Sequence, residues 1–300
     1  MAQETTTTTV TEVIERNAYA ASVLYFAEKP GLSSRVARQD LTGQKTLVAR
    51  FPIYDKVSAL AISEGSDFTT NSQIDTTGSV DVTVSEHAIK FTITDLADDA
   101  TVDNLAEAAS QGSISGRMAA EAMQRRQDAD IAALFAGFDS STGSNTSVIT
   151  STLLITAIGQ LDIDNIPSDP RHTVLHPFQW RTLIPAYDDG SVYGAQGQQV
   201  VTNGVVSSNF YGTQLFVTSN VATATVSSST VWAGAVFHPS AVALAVKGPM
   251  PKMEVERDAS LRAFELVGTG VWGEAEYRGG ATTSGRGGAG VYLYSNSTTP

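Results

Sequence analysis

Cysteine is absent from this chain of 300 residues. Disulfide bonds, zinc–thiolate sites and thiol catalysis are therefore excluded, although the absence is neutral about the cellular compartment. Charged residues are also scarce, at 17% of the chain, whereas hydrophobic residues make up 42%. Disorder needs the opposite balance, so the composition indicates a globular chain. A surface with so few charges suggests that part of it is hidden in an assembly.

Basic stretches and long apolar runs are missing as well. The formal net charge is −12 and the longest basic run is Arg125-Arg126, so the chain lacks the basic stripe that sequence-independent nucleic-acid binding requires. The opening MAQETTTTTVTEVIERNAYA has neither the basic start nor the apolar core of a signal peptide. No window approaches about 18 uninterrupted apolar residues, so we expect no membrane span.

Alternating polar and apolar residues predict the two arms of one long β-hairpin. The apolar positions are Leu47, Ala49, Phe51 and Ile53 in one arm and Val80, Val82 and Val84 in the other, followed in the opposite phase by Ile89, Phe91 and Ile93. The change of phase predicts a bulge or strong twist near residues 86–88. The predicted arms are 46–62 and 79–94, with a polar tip at 63–78. Because a two-stranded ribbon is marginal on its own in water, we expect it to lie on a neighbour.

Other segments predict helices and shorter strands. A Thr-rich arm at 1–12 precedes a helix near 13–27, and a long helix is predicted over 101–137, where Gly137 ends it. The polar loop at 139–147 is the expected domain boundary. Beyond it the pattern predicts helices at 151–162 and from Pro177, a Gly-rich loop at 189–204, and strands near 172–176, 205–207, 213–218, 230–237 and 241–247. Tyr211-Gly212 predicts a tight turn, and the last segments predict two strands around 258–260 and a final strand in GGAGVYLYS.

Two patterns suggest chemistry but have simpler interpretations. The glycines of 268–273 fit the dinucleotide pattern G-x-G-x-x-G, yet the sequence after them does not predict a helix. Glycines that relieve a bend in a strand explain this segment better. Neighbouring acids such as Asp98-Asp99 and Asp188-Asp189 are interpreted as the first turn of a helix and a solvated loop, and a dispersed carboxylate site stays open as an alternative.

The histidines are interpreted as structural residues. His172 and His176 lie four apart in a predicted strand, which would separate them by roughly 13 Å, too far for a shared metal ion. His176 precedes Pro177 and is interpreted as the start of a helix. His238 precedes Pro239 and is interpreted as the exit from a strand into a turn.

The order of these elements resembles that of the HK97-like major capsid proteins of tailed double-stranded DNA bacteriophages. Six segments look similar in detail: TITDLADDATVDNL, RRQDADIAALFAGF, TVLHPFQWRTL, GVVSSNFYGTQLFVTSNV, AVFHPSAVALAV and the closing GVWGEAEYRGGA with GVYLYS. The resemblance covers nearly the whole chain, and it implies an α+β fold. The implied parts are an N-terminal arm (1–30), an E-loop hairpin (43–95), a P-domain with a spine helix and long strands (31–42, 96–140 and 249–275), and an α/β A-domain (141–248 and 276–300).

This resemblance also implies a function. The chain would be a major capsid protein that assembles in the host cytoplasm, as hexamers and pentamers, into the icosahedral head of a virion. The implied partners are further copies of the chain, a portal, a separate scaffolding protein and a decoration protein, around double-stranded DNA that is enclosed without specific binding. No enzymatic activity, cofactor, metal or membrane is implied. The candidate subunit contacts are Leu47, Phe51, Ile53, Glu64, Asp67, Phe68, Val82, Val84, Phe91, Arg125, Arg126, Arg257 and Asp258.

Two alternatives stay open at this point. An encapsulin-like nanocompartment shell would share the fold but would hold cargo enzymes instead of DNA. A hydrolase with a dispersed carboxylate site would predict a monomer or small oligomer and a deep pocket lined by titratable groups. For a phage head, the net negative charge suggests a lumen that repels DNA and lets it slide.

Overall fold

The structure is a computed structural model that describes residues 31–54, 59, 61, 64–65, 76–100, 114–188, 209–278 and 288–296. The predicted arm and helix at 1–27, most of the hairpin tip, residues 101–113 and the predicted loop and strand at 189–207 lie outside these ranges. Within them, no helix is both long and apolar enough to cross a membrane.

Fourteen strands and four α-helices make up the described fold. The strands are β1 (Ala37–Asp40), β2 (Val48–Tyr54), β3 (Thr76–Thr83), β4 (Ser85–Thr94), β5 (Ser140–Gly143), β6 (His172–Leu175), β7 (Asn209–Phe210), β8 (Thr213–Val217), β9 (Thr223–Val226), β10 (Ser229–Phe237), β11 (Val242–Val246), β12 (Lys252–Asp258), β13 (Ala263–Glu276) and β14 (Gly290–Asn296). The helices are α1 (Asp95–Ala100), α2 (Ile114–Ala133), α3 (Ser151–Ile163) and α4 (Pro177–Asp188).

A five-stranded sheet is organised around the long strand β13. β4 pairs with one edge of β13, and β11 and β12 pair in succession with the other edge, all antiparallel. β1 adds in parallel to β11. The predicted pair of strands around 258–260 is confirmed, because Asp258 accepts hydrogen bonds from the backbone N–H groups of Ser260 and Leu261 and so closes the turn. β1 and β9 were not predicted from the sequence.

The hairpin is confirmed in part. β2 and β3 form a separate antiparallel two-stranded sheet, with Ala49 opposite Val82 and Phe51 opposite Val80. The second half of the predicted arm does not belong to it, since β4 pairs with β13 along its whole length. The predicted bulge near 86–88 is therefore wrong. The phase changes at Val84 because the chain leaves one sheet there and enters another.

A seven-stranded sheet occupies the second half of the chain. Its strand order is β5-β14-β10-β6-β8-β7, and β9 pairs with the start of β10. The tight turn at Tyr211-Gly212 is confirmed, since both residues have positive φ and join β7 to β8. The loop predicted at 139–147 is wrong in part, because Ser140–Gly143 forms β5 parallel to β14. The strand was not predicted because its small polar residues show no alternation of polar and apolar positions. It forms through backbone hydrogen bonds to β14 at the edge of the sheet.

The helices follow the predictions closely where they are described. α2 continues as a 3-10 turn at Leu134–Gly137, which confirms the predicted end of the long helix. α3 and α4 match the predicted helices, and Pro177 is the first residue of α4, where its missing N–H costs nothing. β11 (VALAV) is buried throughout, with Val242, Leu244 and Val246 in the main core and Ala243 and Ala245 on the opposite face. The domain bounds predicted from the sequence placed β11 in the A-domain. In the structure β11 pairs with β13, whose range was mostly assigned to the P-domain. The domain bounds stay a prediction.

Candidate subunit-contact surface

The base of the hairpin rests on the five-stranded sheet of its own chain. Ala49, Val82 and Val84 are buried and pack with Ala243 and Ala245 of β11. Val82 is 1% exposed and Val84 is 6% exposed. Their prediction as subunit contacts is therefore wrong, because the alternation that marks an apolar face cannot say which surface covers it. Phe51 is half-buried against the same cluster.

Gly273 sets how closely the hairpin approaches the sheet. A Cβ atom at this position would lie 2.2 Å from the carbonyl oxygen of Thr83 and 3.1 Å from the Cα atom of Val84. Any side chain would therefore push the crossing strand away, because such distances lie well inside van der Waals contact. This is the place where the chain passes from β3 to β4. The glycine pattern that resembled a nucleotide motif is explained by backbone contact in a strand.

Two polar side chains fasten the hairpin from the edge of the sheet. The Tyr277 hydroxyl donates to the carbonyl oxygen of Pro52 at 2.8 Å, and its ring lies 5.4 Å from the ring of Phe51. The Lys247 ammonium donates to the carbonyl oxygen of Thr46 at 2.9 Å. Together with Gly273, these residues form what we call the hairpin seat. Sequence analysis missed Tyr277 and Lys247. It assigned Gly273 to a strand, but it did not identify the backbone that crosses it.

The outer face of the hairpin is exposed. Arg50 and Asp81 form a bidentate ion pair across the two strands, with both N–O distances at 2.7 Å. Hydrogen bonding to Arg50 lowers the pKa of the Asp81 carboxyl. At the two ends of β2, Leu47 is 57% exposed and Tyr54 is 53% exposed. Large apolar side chains this exposed remain available for another molecule.

The remaining hairpin candidates divide between three situations. Ile53 is partly exposed on the same strand as Tyr54, and Glu64 is exposed in a turn. Asp67 and Phe68 lie outside the described residues. Ile53 and Tyr54 thus lie at the outer end of β2, whereas Leu47 lies at its base, just before the strand begins.

Arg257, Asp258 and Phe91 lie elsewhere, toward the end of the five-stranded sheet where β12 turns into β13. Arg257 pairs with both carboxylate oxygens of Asp95, with its Cζ atom 4.6 Å from the centroid of the Phe264 ring. Hydrogen bonding to Arg257 lowers the pKa of Asp95. Phe91 packs against a small buried cluster with Ile93 and Leu266. All three residues have contacts within the chain, and Leu96, Val255 and Leu261 are the exposed apolar side chains of this region.

Arg125 and Arg126 lie on the exposed side of α2. Arg126 forms an ion pair with Asp130, one helical turn later, at 2.9 Å. Such exposed pairs contribute about 0.3–0.5 kcal/mol. The structure does not bring these arginines together with the hairpin candidates, because they belong to different elements.

The histidines have the structural roles predicted from their prolines. His176 Nδ1 accepts from the backbone N–H of Phe178, and His238 Nδ1 accepts from that of Ser240, so each imidazole caps the helical turn that follows it. Within the described ranges, no three His, Cys, Asp or Glu side chains are placed to hold a metal ion. A small cleft beside Gln179 and Trp232 is lined by Val148, Phe178, Thr182, Ser295 and Asn296, none of them titratable.

Several solved structures of phage proteins share this architecture. A chain from the head of Helicobacter pylori bacteriophage KHP40 aligns with a TM-score of 0.69 and 12% identity over 99% of both chains. A chain from the capsid of Ralstonia phage GP4 aligns with a TM-score of 0.69 and 11% identity, over 95% of this chain and 96% of that one. A chain of Mycobacterium phage Che8 aligns with a TM-score of 0.60 and 18% identity, over 92% and 97%. No curated protein sequence matches the chain.

The fold defines a class. A projecting hairpin seated on a sheet with a long central strand, next to a helix and a second mixed sheet, is the HK97-like capsid fold, and the α+β prediction is confirmed. The sequence model of a family described as phage capsid protein matches residues 76–283. The chain belongs to this phage capsid protein family, and it is a major capsid protein of the virion head shell.

Proposed function

We propose that the chain assembles as hexamers and pentamers, and that the exposed side of each hairpin, from Leu47 to Tyr54, lies on the neighbouring subunit. The supporting observation is the exposure of Tyr54 at the outer end of the two-stranded sheet and of Leu47 beside its base, while the opposite face packs on its own chain. Among the described residues, the hairpin contacts its own chain through one face, along Ala49, Phe51, Val82 and Val84. A neighbour that covers the exposed side removes this apolar surface from water, at about 25 cal/mol per Å².

Other exposed apolar side chains fit contacts on several sides of one subunit. Leu96 is 66% exposed beside the β12–β13 turn, and Ile163 is 79% exposed at the end of α3. A closed shell surrounds each subunit with neighbours, so separate contact patches are expected.

The net negative charge of the chain determines how the inside of the shell interacts with DNA. With a net charge of −12, the assembled chain carries no overall attraction for DNA. We infer a structural role in which double-stranded DNA is enclosed without specific binding, with no catalysis by the chain itself. A portal, a separate scaffolding protein and a decoration protein are the proposed partners beyond the subunit itself. The match to a phage capsid family favours this role over a nanocompartment shell, and none of the observations above favours a hydrolase.

The double variant Leu47→Ser with Tyr54→Ser tests the proposed hairpin contact. Both side chains are more than half exposed, so the variant subunit is expected to fold as the unaltered one does. The protein concentration at which shells form should rise at least about tenfold, because each subunit loses two apolar contacts. Sedimentation velocity and negative-stain microscopy measure the shells, and circular dichroism checks the fold.

Ser79→Ala is the matched control, because it alters an exposed residue on the same hairpin and removes no apolar surface. It should assemble at the concentration that the unaltered chain requires. Shells that form from the double variant at that same concentration would show that the exposed side of the hairpin is not a subunit contact.

A further inference from the structure

Helix α2 and the long strand β13 lie side by side and run in the same direction. A Cβ atom at Gly268 would lie 3.4 Å from the Cβ atom of Ala119. A Cβ atom at Gly137, which ends the 3-10 turn after α2, would lie 3.6 Å from Oε2 of Glu276. Between these contacts the chain advances about 27 Å along the helix, at about 1.5 Å per residue, and about 26 Å along the strand, at about 3.3 Å per residue. The two elements therefore stay adjacent over the whole distance.

The half of this interface near Gly268 is apolar. A Cβ atom at Gly268 would also meet Met253 of β12 and Ile89 of β4, at 3.0 and 3.2 Å. Ala119 and Met123, one helical turn apart on α2, are both buried. Packing of this kind involves no charge, so it does not respond to pH.

The other half of the interface is acidic on the side of the strand. Glu274 and Glu276 lie on the same face of β13 as Gly268, since alternate residues of a strand share a face. Their partners in the neighbouring strand β11, Leu244 and Val242, belong to the main core. Both carboxyl groups thus lie between the sheet and the helix, beside apolar side chains.

The facing end of the helix is acidic too. From residue 127 to residue 139 the sequence has three aspartates and neither Lys nor Arg. Asp130 follows Ala119 by eleven residues, about three helical turns, so it lies on the same side of α2 and about 16 Å further along. Asp139 follows the contact with Glu276 by two residues. Each glutamate of the strand therefore faces an aspartate from the end of the helix.

Burial favours the neutral form of both strand carboxyls. Oε1 of Glu276 is buried and has no hydrogen-bond partner among the described residues. Burial, with a smaller contribution from Asp139, raises the pKa of Glu276 to about 7. Burial and then Asp130 raise the pKa of Glu274, and the opposing effect of Arg126 is smaller. Desolvation and a like charge act in the same direction on an acid, so each glutamate retains its proton to a higher pH than usual.

Three basic side chains lie around this interface. Arg126 forms its ion pair with Asp130 at 2.9 Å. Arg38 of β1 lies on the far side of β11 from Glu274. Arg278 lies beyond the end of β13. The aligned peptide groups of α2 add partial negative charge at this end of the helix, so the helix end carries an excess of negative charge.

We propose that Glu274 and Glu276 form a proton-controlled joint between the end of α2 and the strand β13. While both glutamates are neutral, the helix end packs on the strand. Once they lose their protons they repel Asp130 and Asp139, and the last turns of the helix separate from the strand while the apolar half stays in place. The joint therefore loosens as the pH rises through about 7. It acts within each subunit and does not depend on the hairpin contact.

Hydrogen–deuterium exchange of the full chain in assembled particles tests the joint. Rates are corrected for the intrinsic effect of pH on amide exchange. Protection of the amides of residues 130–137 should fall at least about fivefold between about pH 5.5 and about pH 8. Protection of residues 117–123, in the apolar half of the interface, should change less than about twofold.

The variant Glu274→Gln combined with Glu276→Gln keeps the size of both side chains and removes their charge at every pH. At about pH 8 it should retain the protection that the unaltered chain has at about pH 5.5. Glu265→Gln is the matched control, because this residue pairs with Lys90 on the opposite face of β13 and should leave the loss of protection unchanged. Asp139→Asn, at an exposed position, should move the midpoint of the loss to lower pH, since Asp139 contributes to the raised pKa of Glu276.

Protection at residues 130–137 that does not change with pH in the unaltered chain would overturn the proposal. An equal loss of protection in the double variant would do the same. Should the double variant not fold, the midpoint of Asp139→Asn decides, and an unchanged midpoint counts against the joint. The measurement concerns one helix end and not assembly, so its failure would leave the shell function intact.

Discussion

The absence of a side chain at Gly273 allows two sheets to meet. The backbone of Thr83 and Val84 passes directly over this residue, and a methyl group there would overlap the Thr83 carbonyl. The apolar residues on either side of the crossing are small, Ala243 and Ala245, so the hairpin base lies close to the sheet. One glycine thus controls the direction in which the hairpin leaves the subunit.

Gly273→Ala should lower the free energy of unfolding by about 1–3 kcal/mol, because the strand crossing must shift to admit the methyl group. Urea unfolding of dissociated subunits measures the loss. Gly159→Ala is the control: a Cβ at this position in α3 meets nothing within 4 Å, and alanine should be neutral or stabilising in a helix. Equal stability of the two variants would contradict the close contact.

Glu276 predicts a dependence of stability on pH. Burial, with a smaller contribution from Asp139, raises the pKa of its carboxyl from 4.5 to about 7. The folded chain therefore holds this proton more tightly than the unfolded chain does. The contribution to stability is full below about pH 4.5 and is lost as the pH rises to about 7.

Glu276→Gln should remove this dependence, since the amide stays neutral. At pH 8 the variant is expected to be about 1–2 kcal/mol more stable than the unaltered chain, after allowance for partial exposure, and the two should agree near pH 4.5. Urea unfolding between pH 4.5 and 8 measures this difference. Glu256→Gln, at an exposed position on β12, serves as the control. A difference that does not change with pH would contradict the assignment.

Individual residues were predictable where local rules decide their role. His176 and His238 each precede a proline, and both cap the turn that follows. The roles of Gly273, Tyr277 and Lys247 depend on partners in other elements. Sequence spacing does not encode these partners, so the hairpin seat was not predicted.

Among the elements, the hairpin combines a fixed base with an exposed outer part. Its buried face contacts the five-stranded sheet, and Tyr277 ties Pro52 to the same body. This arrangement gives the ribbon a defined direction before any neighbour binds. A preset direction reduces the ordering cost of assembly.

Tyr277→Phe should loosen this element without unfolding the chain. The variant keeps the ring that contacts Phe51 and loses only the hydrogen bond to Pro52, worth about 1 kcal/mol. Limited proteolysis of dissociated subunits should cut between residues 54 and 76 several-fold faster than in the unaltered chain. Tyr294→Phe, whose residue lies in β14 of the other sheet, provides the control. Unchanged cleavage would show that the hydrogen bond does not hold the hairpin.

Elements with a clear period were predicted well. The helix ending at Gly137, the helix beginning at Pro177 and the pair β12 and β13 all appear where periodicity placed them. The transfer between sheets at Val84 was read as a bulge, because both produce the same change of phase. β5 was missed because its sequence SSTG has no apolar residue and depends on β14 for its pairing.

For the whole molecule, the fold was predicted from the order of the helices and strands along the sequence. A hairpin, a helix, a mixed sheet and returning strands occur in the sequence in the order that the structure shows. Which apolar surfaces face a neighbour could not be derived in the same way, because burial within the chain and burial between subunits leave the same sequence pattern. Val82 turned inward, whereas Leu47 stayed exposed.

The central claim is that the exposed side of the hairpin of one subunit, from Leu47 to Tyr54, is covered by the next subunit. Electron cryomicroscopy of particles assembled from the purified protein tests it directly. We predict closed shells in which Leu47 and Tyr54 of every subunit are in contact with a neighbouring subunit. Particles in which these side chains remain in solvent, or contact only their own chain, would contradict the account.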